Sequence, residues 1–95
     1  MSAYIVVDAK SSDPDRMAEY RRLALSAVEK YGGRYLVRGG AYQVLEGDWH
    51  PERLVVVEFD SAERARMFYD SAEYVAARQA RADCSRFDML LVQGC

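Results

Sequence analysis

The segment Leu54-Val55-Val56-Val57-Glu58-Phe59 decides the fold of this 95-residue chain. It is rich in β-branched and aromatic side chains, which predicts a β-strand. Because side chains along a strand point alternately to the two faces of a sheet, Leu54 and Val56 lie on one face and Val55 and Val57 on the other. Both faces are therefore apolar, whereas an antiparallel sheet with one face in water alternates apolar and polar residues.

Turn and capping residues divide the chain on either side of this strand. Asp13 is a good N-cap and Pro14 suits the first helical position, so a helix begins there and ends at Gly32-Gly33. Asp70-Ser71 predicts a break and a fresh N-cap within the last helical region. The predicted elements are strands at 3–9, 34–38, 53–59 and 86–93, helices at 14–31, 61–70 and 72–82, and a continuation of the second strand at 41–46 after Gly39-Gly40.

The order β-α-β-β-α-β predicts a single α+β domain over residues 1–95 with a ferredoxin-like fold. Right-handed crossovers then give one four-stranded antiparallel sheet with the helices on one face. The other face would be a larger apolar patch than monomeric proteins normally expose. Covering five such side chains with a partner contributes on the order of 5–10 kcal/mol before the costs of association. We therefore expect a homodimer that packs sheet against sheet, as in a dimeric α+β barrel.

Composition limits the classes of function. The chain has 13 basic and 15 acidic side chains and a net charge of -2, so a phosphate backbone would be weakly repelled and we expect no nucleic-acid partner. Neither a signal peptide nor an apolar run of ~20 residues is present, so we expect no membrane association and a cytoplasmic location. Cys84 and Cys95 lack metal-ligand spacing and are expected to be reduced thiols rather than a disulfide. We expect no metal and no cofactor.

Several stretches of the sequence resemble a known bacterial family, domain of unknown function 1330. They are Tyr31-Gly32-Gly33-Arg34-Tyr35-Leu36-Val37-Arg38-Gly39-Gly40, Glu46-Gly47-Asp48-Trp49, Leu54 to Phe59, Ala65-Arg66, Tyr69-Asp70-Ser71, Glu73-Tyr74 and Arg78. That family is similar to the dimeric α+β barrel superfamily, which includes monooxygenases without cofactors and muconolactone isomerases. The resemblance implies a dimer of facing sheets with a pocket between sheet and helices in each subunit. It implies no particular activity, because fold alone does not carry function.

Arg38 and Gly39 form the first candidate site. A guanidinium at a strand interruption could clamp a carboxylate with two hydrogen bonds, and glycine would let a ligand approach the backbone. The alternative is a salt bridge from Arg38 to Glu58 or Asp8, with Gly39-Gly40 as a structural bulge. The two interpretations are about equally supported by the sequence.

Asp8 and Glu58 are the candidate catalytic residues, since each interrupts an otherwise apolar face. A carboxylate in such a setting would have a raised pKa and could act as a general base. The alternative, which the sequence favours, is that both lie at strand ends and are satisfied by solvent or by Arg38.

Trp49, His50 and Tyr74 are further candidates for ligand binding. Trp49 could stack on a ring-shaped ligand, although packing across the dimer seam is favoured. His50 could move protons, a common role of histidine, but a loop histidine without a visible partner is more often a surface residue. Tyr74 could donate a hydrogen bond to a substrate oxygen, or it could fill the core.

Two hypotheses for function follow. In the first, a small carboxylated or aromatic metabolite is bound or transformed in a pocket between sheet and helices, with Arg38 as the anion anchor and Asp8 or Glu58 as the proton-transfer group. In the second, the protein is a non-catalytic ligand-binding or protein-interaction homodimer. An apolar cavity lined by Arg38 and a carboxylate in the folded dimer would favour the first, whereas a space filled by side chains would argue against an enzyme.

Overall fold

The computed structural model describes residues 1–95 and contains four strands and three helices. They are β1 (Ala3–Ser11), α1 (Pro14–Lys30), β2 (Arg34–Arg38), β3 (Leu54–Phe59), α2 (Ala62–Asp70), α3 (Ala72–Ala80) and β4 (Ser85–Gln93). All neighbouring strands are antiparallel, and they lie in the order β2-β3-β1-β4. This arrangement confirms the predicted ferredoxin-like α+β fold. None of the helices combines the length and the apolar character needed to cross a membrane.

Local sequence sets the helix boundaries. The Asp13 side chain accepts a hydrogen bond from the backbone N–H of Arg16 (3.1 Å), which satisfies one of the free donors at the start of α1. Ser71 ends α2 and begins α3, because its hydroxyl donates to the Phe68 carbonyl (2.7 Å) and accepts from the Tyr74 N–H (3.1 Å). The predicted break in the last helical region is therefore confirmed.

The predicted continuation of the second strand at 41–46 is wrong. β2 ends at Arg38, and the Gly39 N–H donates to the Leu54 carbonyl (2.8 Å) where β3 begins. Beyond that point β3 no longer runs beside the chain, so residues 41–46 have no ladder partner and are irregular. A strand pattern without a neighbouring strand leaves its backbone groups to water, and the extended ladder does not form.

The main core lies between the sheet and the helices. Small alanines of the helices allow close approach to the sheet, and aromatic rings fill the space between them. Phe68 packs between Phe59 (ring centroids 5.1 Å apart) and Tyr74 (4.6 Å). The buried residues of this core are Ile5, Val7, Ala9, Ala24, Ala27, Val28, Val57, Phe59, Ala65, Phe68, Tyr74 and Ala77.

The opposite face of the sheet carries an apolar row across all four strands. Val6 of β1 lies between Val56 of β3 and Leu90 of β4, and Val56 pairs on its other side with Val37 of β2. Leu90 is 66% exposed, so this face is apolar and uncovered within one subunit. We call it the open sheet face, defined by Val6, Val37, Leu54, Val56, Leu90 and Val92.

Candidate functional site

A cavity lies on the helix side of the sheet, between the sheet and α1. Its enclosed part measures about 40 Å³, and the space including the open mouth about 420 Å³. Ala9 of β1 and Ala24 of α1 line it, and their short side chains leave space that larger residues would fill. The other lining residues are Val7, Met17, Tyr20, Arg21, Tyr35, Arg38, Arg53, Val55 and Phe87. Such mostly apolar and aromatic walls are typical of a small-molecule site.

Three arginines from different elements bring positive charge to this cavity. Arg21 belongs to α1, Arg38 ends β2, and Arg53 immediately precedes β3. The five ion pairs of the chain involve other arginines and a lysine, so these three have no carboxylate partner. The guanidinium of Arg38 stacks over the Tyr35 ring, 4.4 Å from its centroid. Unpaired guanidiniums beside apolar walls suit an anion that has an apolar body.

A bulge in β2 directs Arg38 into the cavity. Tyr35 pairs with Val57 and Arg38 pairs with Val55, but the register shifts between Tyr35 and Val37, leaving Leu36 as an extra residue. Strict alternation from Tyr35 would place Arg38 on the open sheet face, whereas one extra residue moves it to the helix side. The alternative salt bridges of Arg38 to the two carboxylates are accordingly not formed.

Gly39 supports the cavity indirectly. Its φ is +74°, a left-handed conformation that residues with a Cβ rarely adopt. A Cβ at this position would also collide with the guanidinium of Arg53. Gly39 therefore allows Arg53 to lie against the backbone, and it acts on the site by positioning this arginine.

A second, deeper cavity of about 30 Å³ adjoins the first, and both are lined by Val7, Tyr20, Ala24, Tyr35 and Val55. Tyr74, only 1% exposed, lines the deeper one. The hydroxyls of Tyr20 and Tyr74 are 2.7 Å apart and form a hydrogen bond. Burial is the main cause that raises the pKa of Tyr20 and also of Tyr35, so both hydroxyls stay protonated.

Asp8 lies on the other side of the sheet from this cavity. By strand alternation its side chain points toward the open sheet face, where it is buried. It accepts hydrogen bonds from the Trp49 indole N–H (3.1 Å) and from the Glu52 backbone N–H (3.2 Å). Asp8 thus holds the irregular segment before β3 against the sheet, and Trp49, itself 58% exposed, stands on that side.

Glu58 also faces away from the cavity. It accepts hydrogen bonds from Arg34 (3.0 Å) and from the Tyr4 hydroxyl (3.4 Å). The hydrogen bond from Arg34 is the main cause that lowers the pKa of Glu58, which is opposite to the raised pKa expected of a general base. His50 lies in the exposed segment 40–50 and has no hydrogen-bond partner. No three His, Cys, Asp or Glu side chains are grouped as a metal site would require.

The structure therefore places Arg38 at the outer cavity, Gly39 beside Arg53 and Tyr74 at the deeper cavity. It places Asp8, Glu58, Trp49 and His50 elsewhere. Sequence reasoning missed Arg21, Arg53, Tyr20 and Tyr35 as lining residues. A signal existed for α1, since Met17, Tyr20, Arg21 and Ala24 recur at helical spacing on one face, with an arginine among apolar residues. Arg53 had no comparable signal, because its place depends on the backbone at Gly39.

Solved structures of other proteins share this fold. A protein of unknown function from Rhodopseudomonas palustris is 19% identical, with a TM-score of 0.68 over 99% of this chain and 84% of its own. A protein from Nitrosomonas europaea, provisionally described as an antibiotic biosynthesis monooxygenase, is 16% identical, with a TM-score of 0.57 over 98% of this chain and 89% of its own. A dimeric ferredoxin-like protein of unknown function from Thermobifida fusca is 16% identical, with a TM-score of 0.53 over 97% of this chain and 92% of its own. These similarities define the fold as ferredoxin-like α+β, and they do not indicate an activity.

The sequence defines its family more narrowly than the fold does. The chain belongs to the family described as Domain of unknown function (DUF1330), which matches residues 2–95. This confirms the resemblance indicated by the segments Tyr31 to Gly40 and Glu46 to Trp49. No curated protein matches the chain.

Proposed function

We propose that this protein is a cytoplasmic homodimer whose subunits each bind a small carboxylated or aromatic metabolite between the sheet and α1. The observation that carries the proposal is the convergence of Arg21, Arg38 and Arg53, none of them ion-paired, on one apolar cavity. Guanidiniums hold a carboxylate through parallel hydrogen bonds, while apolar walls accept a ring or hydrocarbon chain. The enclosed volume of about 40 Å³ is well below the roughly 300–1,000 Å³ of most ligand sites, so a ligand bound here would be small and would extend through the open mouth.

Binding is better supported than catalysis. The predicted proton-transfer groups, Asp8 and Glu58, point to the opposite side of the sheet, and both carboxylates already accept hydrogen bonds there. The charged residues that line the cavity are all arginines. The general-base roles of Asp8 and Glu58 stay predictions, and in a sheet-to-sheet dimer these carboxylates would lie at the seam.

The homodimer is supported by the open sheet face. Its central row is apolar across all four strands, which is the surface that sheet-to-sheet packing would bury. Trp49 stands 58% exposed on the same side, in keeping with a place at the dimer seam. The cytoplasmic location is supported by Cys84 and Cys95, which are both unpaired, the usual state of cysteine in that reducing compartment.

Ligand binding is tested by calorimetric titration of the purified protein with benzoate and other small aromatic acids. We expect saturable binding that Arg21→Ala or Arg38→Ala weakens about tenfold, because hydrogen bonds to charged groups contribute roughly 1.5–3 kcal/mol each. The matched control is Arg22→Ala, since Arg22 is the next residue of α1 but pairs with Glu19 on the surface. Equal losses in the Arg21 and Arg22 variants, or no binding of any acid, would contradict the proposed site.

The dimer is tested by sedimentation of the wild type and of Leu90→Lys at micromolar concentration. Leu90 is 66% exposed in one subunit, so a lysine there leaves the fold of the subunit intact but places a charge within the proposed interface. The control is Met67→Lys, which changes an exposed apolar residue of α2. We expect dimers for the wild type and the control, and monomers for Leu90→Lys. A dimer without ligand binding would instead favour the protein-interaction alternative.

A further inference from the structure

The hydroxyl pair of Tyr20 and Tyr74 holds one more hydrogen than the protein uses. A phenol group has one hydrogen to donate and two lone pairs to accept with. The mutual hydrogen bond consumes one of the two hydrogens, and this is the only hydrogen bond that either hydroxyl makes. The second hydrogen therefore points into an environment that offers no protein acceptor.

This hydrogen lies in a place where an unmet donor is costly. Tyr74 is 1% exposed, and the deeper cavity around it is lined only by apolar and aromatic side chains. A buried donor without an acceptor loses its hydration and gains nothing in return. Because burial raises the pKa of Tyr20, ionisation does not remove the excess hydrogen.

The hydroxyl pair also lies at the inner end of the space that the arginines open. Tyr20 lines both the outer and the deeper cavity, whereas Arg21, Arg38 and Arg53 line only the outer one. A molecule anchored by its anion at the arginines and extending inward would bring its far end toward Tyr20.

We propose that the hydroxyl pair of Tyr20 and Tyr74 is a second recognition point, which donates a hydrogen bond to a neutral acceptor oxygen at the end of the ligand remote from its carboxylate. This inference rests on the proposed function, and it narrows the ligand to a monocarboxylic acid that also carries a carbonyl or similar oxygen. A dicarboxylate fits less well, because its inner carboxylate would lose its hydration in apolar surroundings. Simple aromatic acids carry the anion but offer no acceptor to the second hydrogen.

The test compares acids of nearly equal shape that differ in the acceptor. The probes are 3- and 4-acetylbenzoate, with 3- and 4-isopropylbenzoate as partners that lack the oxygen and benzoate as the reference. The ratio of acetyl to isopropyl affinity is measured by calorimetry in the wild type and in Tyr20→Phe/Tyr74→Phe. For at least one acetyl isomer we expect this ratio to fall about 3- to 10-fold in the double variant, the worth of one net hydrogen bond. Both affinities are expressed relative to that of benzoate in the same protein, so that any effect of the two substitutions on the cavity wall is divided out.

A measurement on the wild type tests the inference even if the double variant does not fold. The infrared carbonyl stretch of bound acetylbenzoate should lie below its value in an alkane solvent, as a hydrogen-bonded ketone requires. Binding of all the acids with an unchanged affinity ratio, or an unshifted stretch, would overturn the inference and leave the arginine site standing. Absence of binding by every acid would instead overturn the proposed function.

Discussion

The hydrogen bond between Tyr20 and Tyr74 allows a prediction about stability that needs no ligand. Tyr20→Phe leaves the Tyr74 hydroxyl, 1% exposed, without its partner, and stranding a buried polar group costs about 1–3 kcal/mol. Tyr74→Phe leaves the Tyr20 hydroxyl without its partner, and because Tyr20 is less buried than Tyr74 we expect a smaller cost of about 0.5–1 kcal/mol.

The double variant is the informative one. Replacing both partners by rings of the same shape removes the hydrogen bond together with the unmet hydrogen, and such changes are close to neutral or stabilising. We therefore expect Tyr20→Phe/Tyr74→Phe to be at least as stable as Tyr20→Phe alone and within about 0.5 kcal/mol of the wild type, a strongly non-additive cycle.

The free energy of unfolding of all four proteins is measured by urea unfolding followed by circular dichroism. One fixed subunit concentration is used, because a dimer is stabilised by mass action. In a domain of this size each kcal/mol corresponds to about 4–8 °C in Tm, so thermal unfolding provides a second measurement. Additive losses, with the double variant the least stable of the four, would refute the hydrogen count at this pair.

Three further predictions concern residues around the two faces of the sheet. Trp49→Phe removes the 3.1 Å hydrogen bond to the buried Asp8 carboxylate. Urea unfolding followed by circular dichroism should show that the free energy of unfolding falls by about 1–2 kcal/mol. An unchanged midpoint would mean that the segment before β3 is held by other contacts. The hydrogen bond from Arg34 lowers the pKa of Glu58 below its usual value of 4.5, so this carboxylate stabilises the fold above that value and the effect fades as pH falls through the lowered pKa. The difference in the free energy of unfolding between wild type and Glu58→Gln should therefore narrow as pH falls below 4.5, and a constant difference would show that charge is not the cause. Gly39→Ala should lower the free energy of unfolding by about 1–2 kcal/mol and weaken benzoate binding, because φ is positive at Gly39 and the neighbouring Arg53 must move. Gly40→Ala should do neither, because the space around Gly40 is open. Equal effects of the two changes would argue against the positioning role of Gly39.

Fold and site differ in how far sequence could predict them. The order of strands and helices along the chain, the helix caps and the break at Ser71 follow from local patterns, and all were predicted. The side of the sheet that Arg38 occupies depends on the bulge at Leu36, and nothing in Arg34 to Arg38 distinguishes a bulged from a regular strand until the register with β3 is known. The convergence of Arg21 and Arg53 is likewise a tertiary fact, since these residues are far apart in the chain and meet only through the packing of α1 on the sheet.

The apolar character of both faces has a consequence for strand alignment during folding. In a sheet with one wet face, sliding a strand by one residue would push its apolar side chains into water, and the error is costly. Here such a slip of β3 would exchange Val55 and Val57 with Leu54 and Val56, so its main apolar cost would be the removal of Phe59 from the core. Glu58 adds to the discrimination, because a slipped β3 would carry it inward toward the rings of the core. Phe59 and Glu58 therefore fix the alignment of β3, and a strand without them would be apolar on both faces and would pair less specifically.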